Sequence, residues 1–518
     1  MRISARLVLA ASCASQLLLP LVTGLSAEKI TSDTWIDMPA TDGKRFSSRN
    51  CHATTIFDGR IWLSGGRSDP YTRYDLSSSY RNDDVWYTRK AADDPPDTLT
   101  VLWLQVGDSS GYVGPGGFSG DYFQQNYDAL QPSSVAPWYS RYGHSLDAID
   151  INGDDVDDAM IQIGGFNPAP ANDIWITTDG VEWSYSGEAP FSPRAFHMTT
   201  IFNGKLWILG GTPLNNDIWS LEKVTKVMRT NPPLTRYMYN NYTYETKWNF
   251  YDTASWSPRV GAGLITHWYF NKTAGETEND ARARMVLVGG YGGEPETKYG
   301  VANELYDGIY CKQEVWVSYD GGNFTLLTDK AAFGPRGWFG LNQMYRTGSF
   351  GDVRLDTVED DAPTMFLVGG GNIGQTATSQ KKLSSMEGKL DMWFSRDGVD
   401  WKQINYMEGG GTTGIKQFSS QPWTVSVVDG KTVYLGMWGM TLEFYETVPL
   451  GYRLVLIAGD KTDTGSMTQN VFASTDGILC DVMGKICNGA GECSATGCIC
   501  GADVDGLLWT GERCLTPA

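Results

Sequence analysis

Residues 193–219, PRAFHMTTIFNGKLWILGGTPLNNDIW, carry the pattern that decides the fold. An Arg-led apolar run reaches a turn signal at Asn203-Gly204. A second apolar run ends at Gly210-Gly211, and a third opens with Asn216-Asp217-Ile218-Trp219. Short β-rich runs separated by tight-turn dipeptides read as consecutive antiparallel strands.

The same order recurs along the chain. Glycine doublets or near-doublets stand at Gly65-Gly66, Gly164-Gly165, Gly210-Gly211, Gly289-Gly290, Gly369-Gly370 and Ala458-Gly459. Each precedes an acidic, apolar, aromatic signature: Asp84-Val85-Trp86, Asp173-Ile174-Trp175, Asp217-Ile218-Trp219, Glu314-Val315-Trp316, Asp391-Met392-Trp393 and the weaker Asn470-Val471-Phe472. Asp-Gly turns follow at Asp179-Gly180, Asp320-Gly321, Asp397-Gly398 and Asp476-Gly477, with Trp183, Phe324 and Trp401 just beyond three of them. A unit this small cannot bury its apolar face alone, so repetition implies stacking. Four strands per unit favour stacking around an axis.

The doublet glycines and the late Trp resemble the kelch repeat. That resemblance implies an all-β, kelch-like β-propeller over residues 31–478. Six blades are favoured, at 49–106, 141–186, 194–256, 259–327, 336–404 and 417–477, and seven are possible if the stretch from Val428 to Gly439 forms a degenerate unit. Blade three carries an expected insertion over residues 221–247. Residues 34–39, with Trp35, read as a lone strand that completes the last blade and closes the ring, which removes exposed sheet edges.

Arg2 and Arg6, the mostly apolar residues 7–22 and the small residues Gly24, Ser26 and Ala27 read as a secretory signal over residues 1–27. No later apolar run is long enough for a membrane helix, so no membrane insertion of the mature chain is expected. The formal net charge of −19 argues against nucleic acid or an anionic membrane as the main partner. Sequons at Asn241, Asn271 and Asn323 fit an exported glycoprotein.

Cysteines crowd the C-terminus in the order C-x6-C-x5-C-x4-C-x-C-x13-C, from Cys480 to Cys514. A core that small needs covalent staples, and spacing alone leaves the pairing open. The order resembles an EGF-like module spanning residues 479–518. The resemblance implies the pairs Cys480–Cys493, Cys487–Cys498 and Cys500–Cys514.

Three constellations are candidates for chemistry. The first is Asp150-Ile-Asn152-Gly-Asp154-Asp155-Val-Asp157-Asp158, whose oxygen side chains are spaced to wrap a hard cation. It resembles the calcium hairpin of integrin-type propellers, which implies Asp150, Asn152, Asp154 and Asp158 as calcium ligands. Asp155 departs from that pattern, which has Gly there.

The second is the set Arg49, Arg141, Arg194, Arg259 and Arg336, each opening a blade, with Lys416 near the sixth start. In a propeller these positions gather at one mouth of the channel. Rimmed by tyrosines such as Tyr71, Tyr74 and Tyr80, they imply an acidic glycan or acidic peptide as ligand. The competing reading has them bonding neighbouring blades. The third is the trio His52, His144 and His197, each three residues after its arginine, which reads mainly as repeat residues packed between blades. Cys51 and Cys311 map to the same mouth, where a disulfide between them is expected to restrain a long loop.

Together these features favour a secreted, non-enzymatic binding or adhesion protein whose ligand is an extracellular protein or acidic glycan. Two enzyme readings compete. A sialidase-type glycosidase would use the arginines, but the Asp-Gly turns are one residue short of an Asp-box and no nucleophile pair is assignable. A galactose-oxidase-like copper enzyme needs paired His and Tyr ligands, and the chain has four His and no Tyr-His step.

Overall fold

A computed structural model describes residues 35–37, 46–68, 81–89, 103–106, 138–167, 169–228, 242–270, 274–276, 281–293, 310–344, 364–373, 386–389, 391–403, 425–428, 431–434, 436–447, 451–461, 466–474, 491–494, 497–500, 509–510 and 516–517. Met198–Phe202 and Lys205–Leu209 pair without interruption, from Met198 opposite Leu209 to Phe202 opposite Lys205. Asn203 and Gly204 join them with φ of 50° and 69°. Two successive left-handed residues match the twist of a tight hairpin, which is why Asn-Gly stands there. Asp58 and Gly59 repeat the turn in blade one, at 49° and 66°.

Six antiparallel sheets of this kind surround one axis. Blade one comprises Ala53–Phe57, Arg60–Ser64, Val85–Thr88 and Trp103–Gln105. Blade two comprises Ser145–Ile149, Ala159–Asn167, Ala169–Thr177 and Ser184–Glu188, and blade three Met198–Phe202, Lys205–Leu209, Asp217–Met228 and Tyr242–Thr253. Blade four comprises Gly263–Tyr269, Arg282–Val288, Val315–Ser318 and Thr325–Thr328, and blade five Gly340–Met344, Thr364–Val368, Met392–Ser395 and Lys402–Gln403. Blade six comprises Thr441–Thr447, Gly451–Lys461 and Ser466–Ser474, with Trp35–Asp37 antiparallel to Ser466–Ser474 as its outer strand. The first strands of successive blades pack against each other in cyclic order, blade six against blade one.

Two expected boundaries change. Blade six begins at Thr441, not near residue 417, and Val425–Val428 with Lys431–Tyr434 is a separate two-stranded hairpin, so the count is six. At both described ends, 221–228 and 242–247, the expected insertion continues blade three's outer strands. Asp217–Met228 and Tyr242–Thr253 stay paired from Asp217 opposite Thr253 to Met228 opposite Tyr242, with two bulges. Alternating polar and aromatic residues such as Tyr242, Tyr244 and Trp248 give that arm its strand period.

A closed cycle of backbone hydrogen bonds joins all six blades near the axis. Cys51 N–H donates to the Gly439 carbonyl (2.9 Å), Gly143 to Cys51 (2.9 Å), Phe196 to Gly143 (2.6 Å), Gly261 to Phe196 (3.4 Å), Trp338 to Gly261 (2.8 Å) and Gly439 to Trp338 (2.8 Å). All six residues are left-handed, with φ between 50° and 67°. Only three are glycine, and these alternate with Cys51, Phe196 and Trp338. The reason is steric: a Cβ on Gly143 would lie 2.8 Å from the Phe196 ring, and one on Gly261 2.6 Å from Trp338. Each side chain around the cycle therefore overlies a glycine of the preceding blade.

Further out, the Asp-Gly turns lock blades together. In blade two Gly180 N–H donates to Thr177 Oγ1, the Val181 and Glu182 amides donate to Asp179, and Trp183 Nε1 donates to the Gly180 carbonyl. A Cβ on Gly180 would meet Trp62 of blade one at 2.1 Å, and one on Gly321 would meet Trp207 of blade three at 2.0 Å.

Two alanine substitutions separate strain from packing at the axis. Gly204 and Gly261 are both left-handed (69° and 59°), but a Cβ on Gly204 meets nothing within 4 Å. Gly204→Ala is expected to cost about 1 kcal/mol. Gly261→Ala is expected to cost several-fold more in urea unfolding, and equal losses would contradict the close packing around the cycle.

Candidate functional site

The five arginines are where the sequence places them, at the entrance to each first strand, but they do not form a cationic mouth. All are buried, at 0–2% exposure. Arg49 spreads its donors over Ser47, the Gly65 carbonyl and both oxygens of Asp84, at 2.7–3.0 Å. Arg141 grips Asp173 with two bonds of 2.7 Å, and Arg194 grips Asp217 in the same way. Arg259 binds Glu314 at 2.7 Å, and Arg336 binds Asp391 at 2.5 and 2.9 Å. A second bond from each reaches the first glycine carbonyl of its own blade's doublet: Gly65, Gly164, Gly210, Gly289 or Gly369.

The carboxylate also takes the indole N–H two residues on, as Trp86 to Asp84 (2.6 Å), Trp175 to Asp173 (2.8 Å), Trp219 to Asp217 (2.8 Å), Trp316 to Glu314 (3.0 Å) and Trp393 to Asp391 (2.8 Å). The acidic-apolar-Trp signature is thus the receiving half of a staple within each blade. Burial works to raise the Asp84 and Asp173 carboxyls, but Arg49 and Arg141 overcome it and hold both below the usual carboxylate range. The expectation of Arg49, Arg141, Arg194, Arg259 and Arg336 as a ligand face is corrected for this reason: their forks are spent on carboxylates and carbonyls of the fold.

Lys416 lies outside the described residues. The position equivalent to the arginines in blade six is Met437: Gly370 N–H donates to its carbonyl (2.8 Å) as Gly66 does to Arg141 (2.9 Å) and Gly165 to Arg194 (2.9 Å). Blade six has Met437, Asn470 and Phe472 where the others have Arg, an acid and Trp. The whole staple is replaced together, which avoids a buried charge without its partner.

Among the described residues, aromatic side chains gather at the mouth. Val260, Tyr291 and Trp438 form a cluster against which Cys51, Phe196, Leu214, Cys311 and Trp338 pack. Trp338 lies 4.5 Å from Tyr291, 5.9 Å from Phe196 and 6.3 Å from Trp438 between ring centroids, and Tyr142 lies 5.7 Å from Phe196. Tyr142, Phe196 and Trp338 are half-buried. The structure does not join Cys51 to Cys311, which corrects the expected disulfide. Cys51 occupies a left-handed position in the axial cycle, where burial pushes its thiol up to about 12. Cys311 sits opposite Tyr291 in a small sheet on the same face.

The three histidines are buried between blades. His52 Nε2 lies 3.0 Å from Thr441 Oγ1, and His144 Nε2 lies 2.7 Å from Ser64 Oγ. Burial lowers His52 and His197 to about 3, with Arg49 and Arg194 adding to it. No three His, Cys, Asp or Glu side chains converge for a metal among the described residues.

Two acids that the sequence reading passed over lie on the first strands around the axis. Asp147 accepts Thr199 Oγ1 at 2.9 Å, and Glu443 accepts Thr54 Oγ1 at 2.5 Å. Burial raises both carboxyls to about 7. They hold protons that an unfolded chain has already released, so their share of stability is complete below about pH 4. It is lost as pH rises through about 7. The signal was available: each is the sixth residue after its blade's Arg141 or Met437, where the other blades carry Thr55, Thr200, Ile265 and Asn342.

In the acidic loop, Asp150 accepts the amides of Asn152, Gly153 and Asp155, Asn152 accepts that of Asp154, and Asp154 that of Val156. Asp158 takes the Ile151 amide and Asn152 Nδ2. The Gly153 amide is the main reason the Asp150 carboxyl sits below its usual range. These bonds wind Asp150, Asn152, Asp154 and Asp158 into one tight turn at the protein surface.

Asn323 is exposed and its Nδ2 donates to Asp320 (2.7 Å). Asn241, Asn271 and residues 1–27 lie outside the described residues, as do Cys480, Cys487 and Cys514, one member of each expected C-terminal disulfide. The backbone there forms a hairpin of Gly491–Ser494 with Gly497–Cys500.

No family model matches the chain. No curated protein matches it either. Among solved structures, one titled "Structure of YjhT" is similar over 85% of this chain and 97% of that one, at 11% identity and a TM-score of 0.43. Likeness at that level carries no argument about this chain.

Blade three can be converted to the chemistry of blade six. Asp217→Asn alone strands a buried guanidinium and is expected to cost roughly 3–5 kcal/mol. Arg194→Met with Asp217→Asn is expected to recover most of that loss in a double-mutant cycle read by denaturant unfolding. Additive losses would show that the pair is not coupled.

Proposed function

We propose that this chain is a secreted, non-enzymatic binding protein that engages an extracellular protein or glycan at the aromatic end of its six-bladed propeller. The observation that carries the reading is the platform of Tyr142, Phe196 and Trp338, backed by Tyr291 and Trp438, over the hydrogen-bonded cycle. Partly exposed aromatic faces held rigidly from behind stack on sugar rings and apolar side chains at little entropic cost. Because the arginines are committed internally, recognition rests on stacking, and an acidic ligand is not required. In this reading the chain is a kelch-like propeller followed by an EGF-like module, exported behind residues 1–27 and glycosylated at its sequons.

The test is an array of glycans and extracellular proteins probed with the full secreted chain and with Trp338→Leu, which keeps an apolar side chain over Gly261. The wild type is expected to bind a ligand with little loss between low and high salt, because screening weakens charge contacts and leaves stacking intact. Trp338→Leu is expected to lose at least about tenfold in affinity, the loss of one stacked aromatic contact. Binding that persists in Trp338→Leu, or that collapses with salt, would overturn the aromatic site.

A further inference from the structure

The Asp-Gly turn of blade four departs from its counterparts at two adjacent positions. Blades two and five run Asp179-Gly180-Val181-Glu182 and Asp397-Gly398-Val399-Asp400, whereas blade four runs Asp320-Gly321-Gly322-Asn323. The turn itself is the same in all three: the leading aspartate accepts the amides of the third and fourth residues. Glycine therefore replaces valine for a reason outside the turn. A Cβ on Gly322 would lie 3.2 Å from the ring of Tyr251 in blade three. Tyr251 packs in turn on Trp207, 4.6 Å between ring centroids, and Trp207 covers Gly321. Its outer side is open, with 37% of the residue exposed.

Tyr251 belongs to a sheet edge unlike those of the neighbouring blades. The outer strand of blade three, Tyr242–Thr253, has twelve residues, where those of blades one, two, four and five have three, five, four and two. Among the described residues no strand pairs with its outer side, and residues 249–253 are all exposed. A long edge with aromatic side chains is a template for pairing with another chain unless something covers it. Beside it, the fourth position of the blade four turn carries Asn323, the first residue of the sequon Asn323-Phe324-Thr325. Asn323 Nδ2 donates one N–H to Asp320 (2.7 Å), and a carboxamide has a second.

We propose that an N-linked glycan on Asn323 lays its first sugar on Tyr251 and covers the free outer edge of blade three. This rests on the reading of the chain as an exported glycoprotein. In the transfer, Asn323 Nδ2 bonds to the anomeric carbon of a pyrophosphate-activated oligosaccharide. The carbon–oxygen bond to phosphate breaks, its electron pair leaves with the pyrophosphate, and one amide proton is lost. The remaining N–H keeps the bond to Asp320, which sets the direction in which the glycan leaves the turn. The tyrosine face, held from behind by Trp207, supplies an apolar surface for a sugar ring. The polar remainder of the glycan turns an adhesive edge into a solvated one.

The experiment uses the full secreted chain from a glycosylating host. Glycopeptide mass spectrometry reads the occupancy of Asn323, and thermal unfolding compares wild type, Thr325→Val, Tyr251→Thr and the double variant. Thr325→Val removes the sequon and leaves Asn323 bonded to Asp320. Asn323 is expected to be glycosylated, Thr325→Val to lower Tm by about 2 °C, and Tyr251→Thr to erase most of that difference. Hydroxyl-radical labelling of Tyr251, which needs no change at that residue if Tyr251→Thr fails to fold, is expected to rise in Thr325→Val. Losses that add in the double variant, or labelling unchanged by loss of the sequon, overturn the proposal. Asn323 unoccupied while another sequon is occupied overturns the proposal alone, and no sequon occupied overturns it together with the glycoprotein reading.

Discussion

Six backbone hydrogen bonds around the axis are the constraint on which the rest of this propeller depends. For one residue of each blade to donate to the previous blade and accept from the next, all six must turn left-handed, a conformation that side chains tolerate poorly. The chain meets this by alternating glycine with Cys51, Phe196 and Trp338, so that each bulky residue lies over a neighbour without a Cβ. The same turn delivers the preceding Arg to its carboxylate and starts the first strand. It also gathers the aromatic residues at one end of the axis, where they cover the cycle.

The arginine staple shows how a charged residue can mark architecture instead of recognition. A guanidinium matches a carboxylate and a glycine carbonyl at once, and the carboxylate has room for an indole N–H. Three segments of a blade are thereby pinned near the axis by one buried network. The cost of burying such a group without its partner explains why blade six exchanges Met437, Asn470 and Phe472 for the whole set. With these five guanidiniums consumed inside the blades, the described side chains gathered over the cycle are mainly aromatic.

Much of the fold was legible because the repeat is local. Asn203-Gly204, the doublet glycines and the Asp-Gly turns each fix a backbone turn over a few residues, so spacing alone located most strands. The start of blade six was misplaced because its staple is missing: Met437 stands where the other five blades carry the opening Arg. The arginines were located correctly and read wrongly as ligands, since a sequence shows charge but not what lies opposite it. The partners Asp84, Asp173, Asp217, Glu314 and Asp391 were in view as a signature, yet their link to the arginines crosses 23 to 55 residues. Asp147 and Glu443 were missed because each is a single acid in an otherwise ordinary strand, and only the structural register pairs them with Thr199 and Thr54.

The central claim, that one closed cycle ties the blades into a single cooperative unit, is tested most directly by native-state amide hydrogen exchange of the full chain. The amides of Cys51, Gly143, Phe196, Gly261, Trp338 and Gly439 are predicted to be among the slowest in the protein and to exchange with one common free energy, that of global unfolding. Fast exchange at any of them, or six independent rates following the stability of their separate blades, would contradict the account.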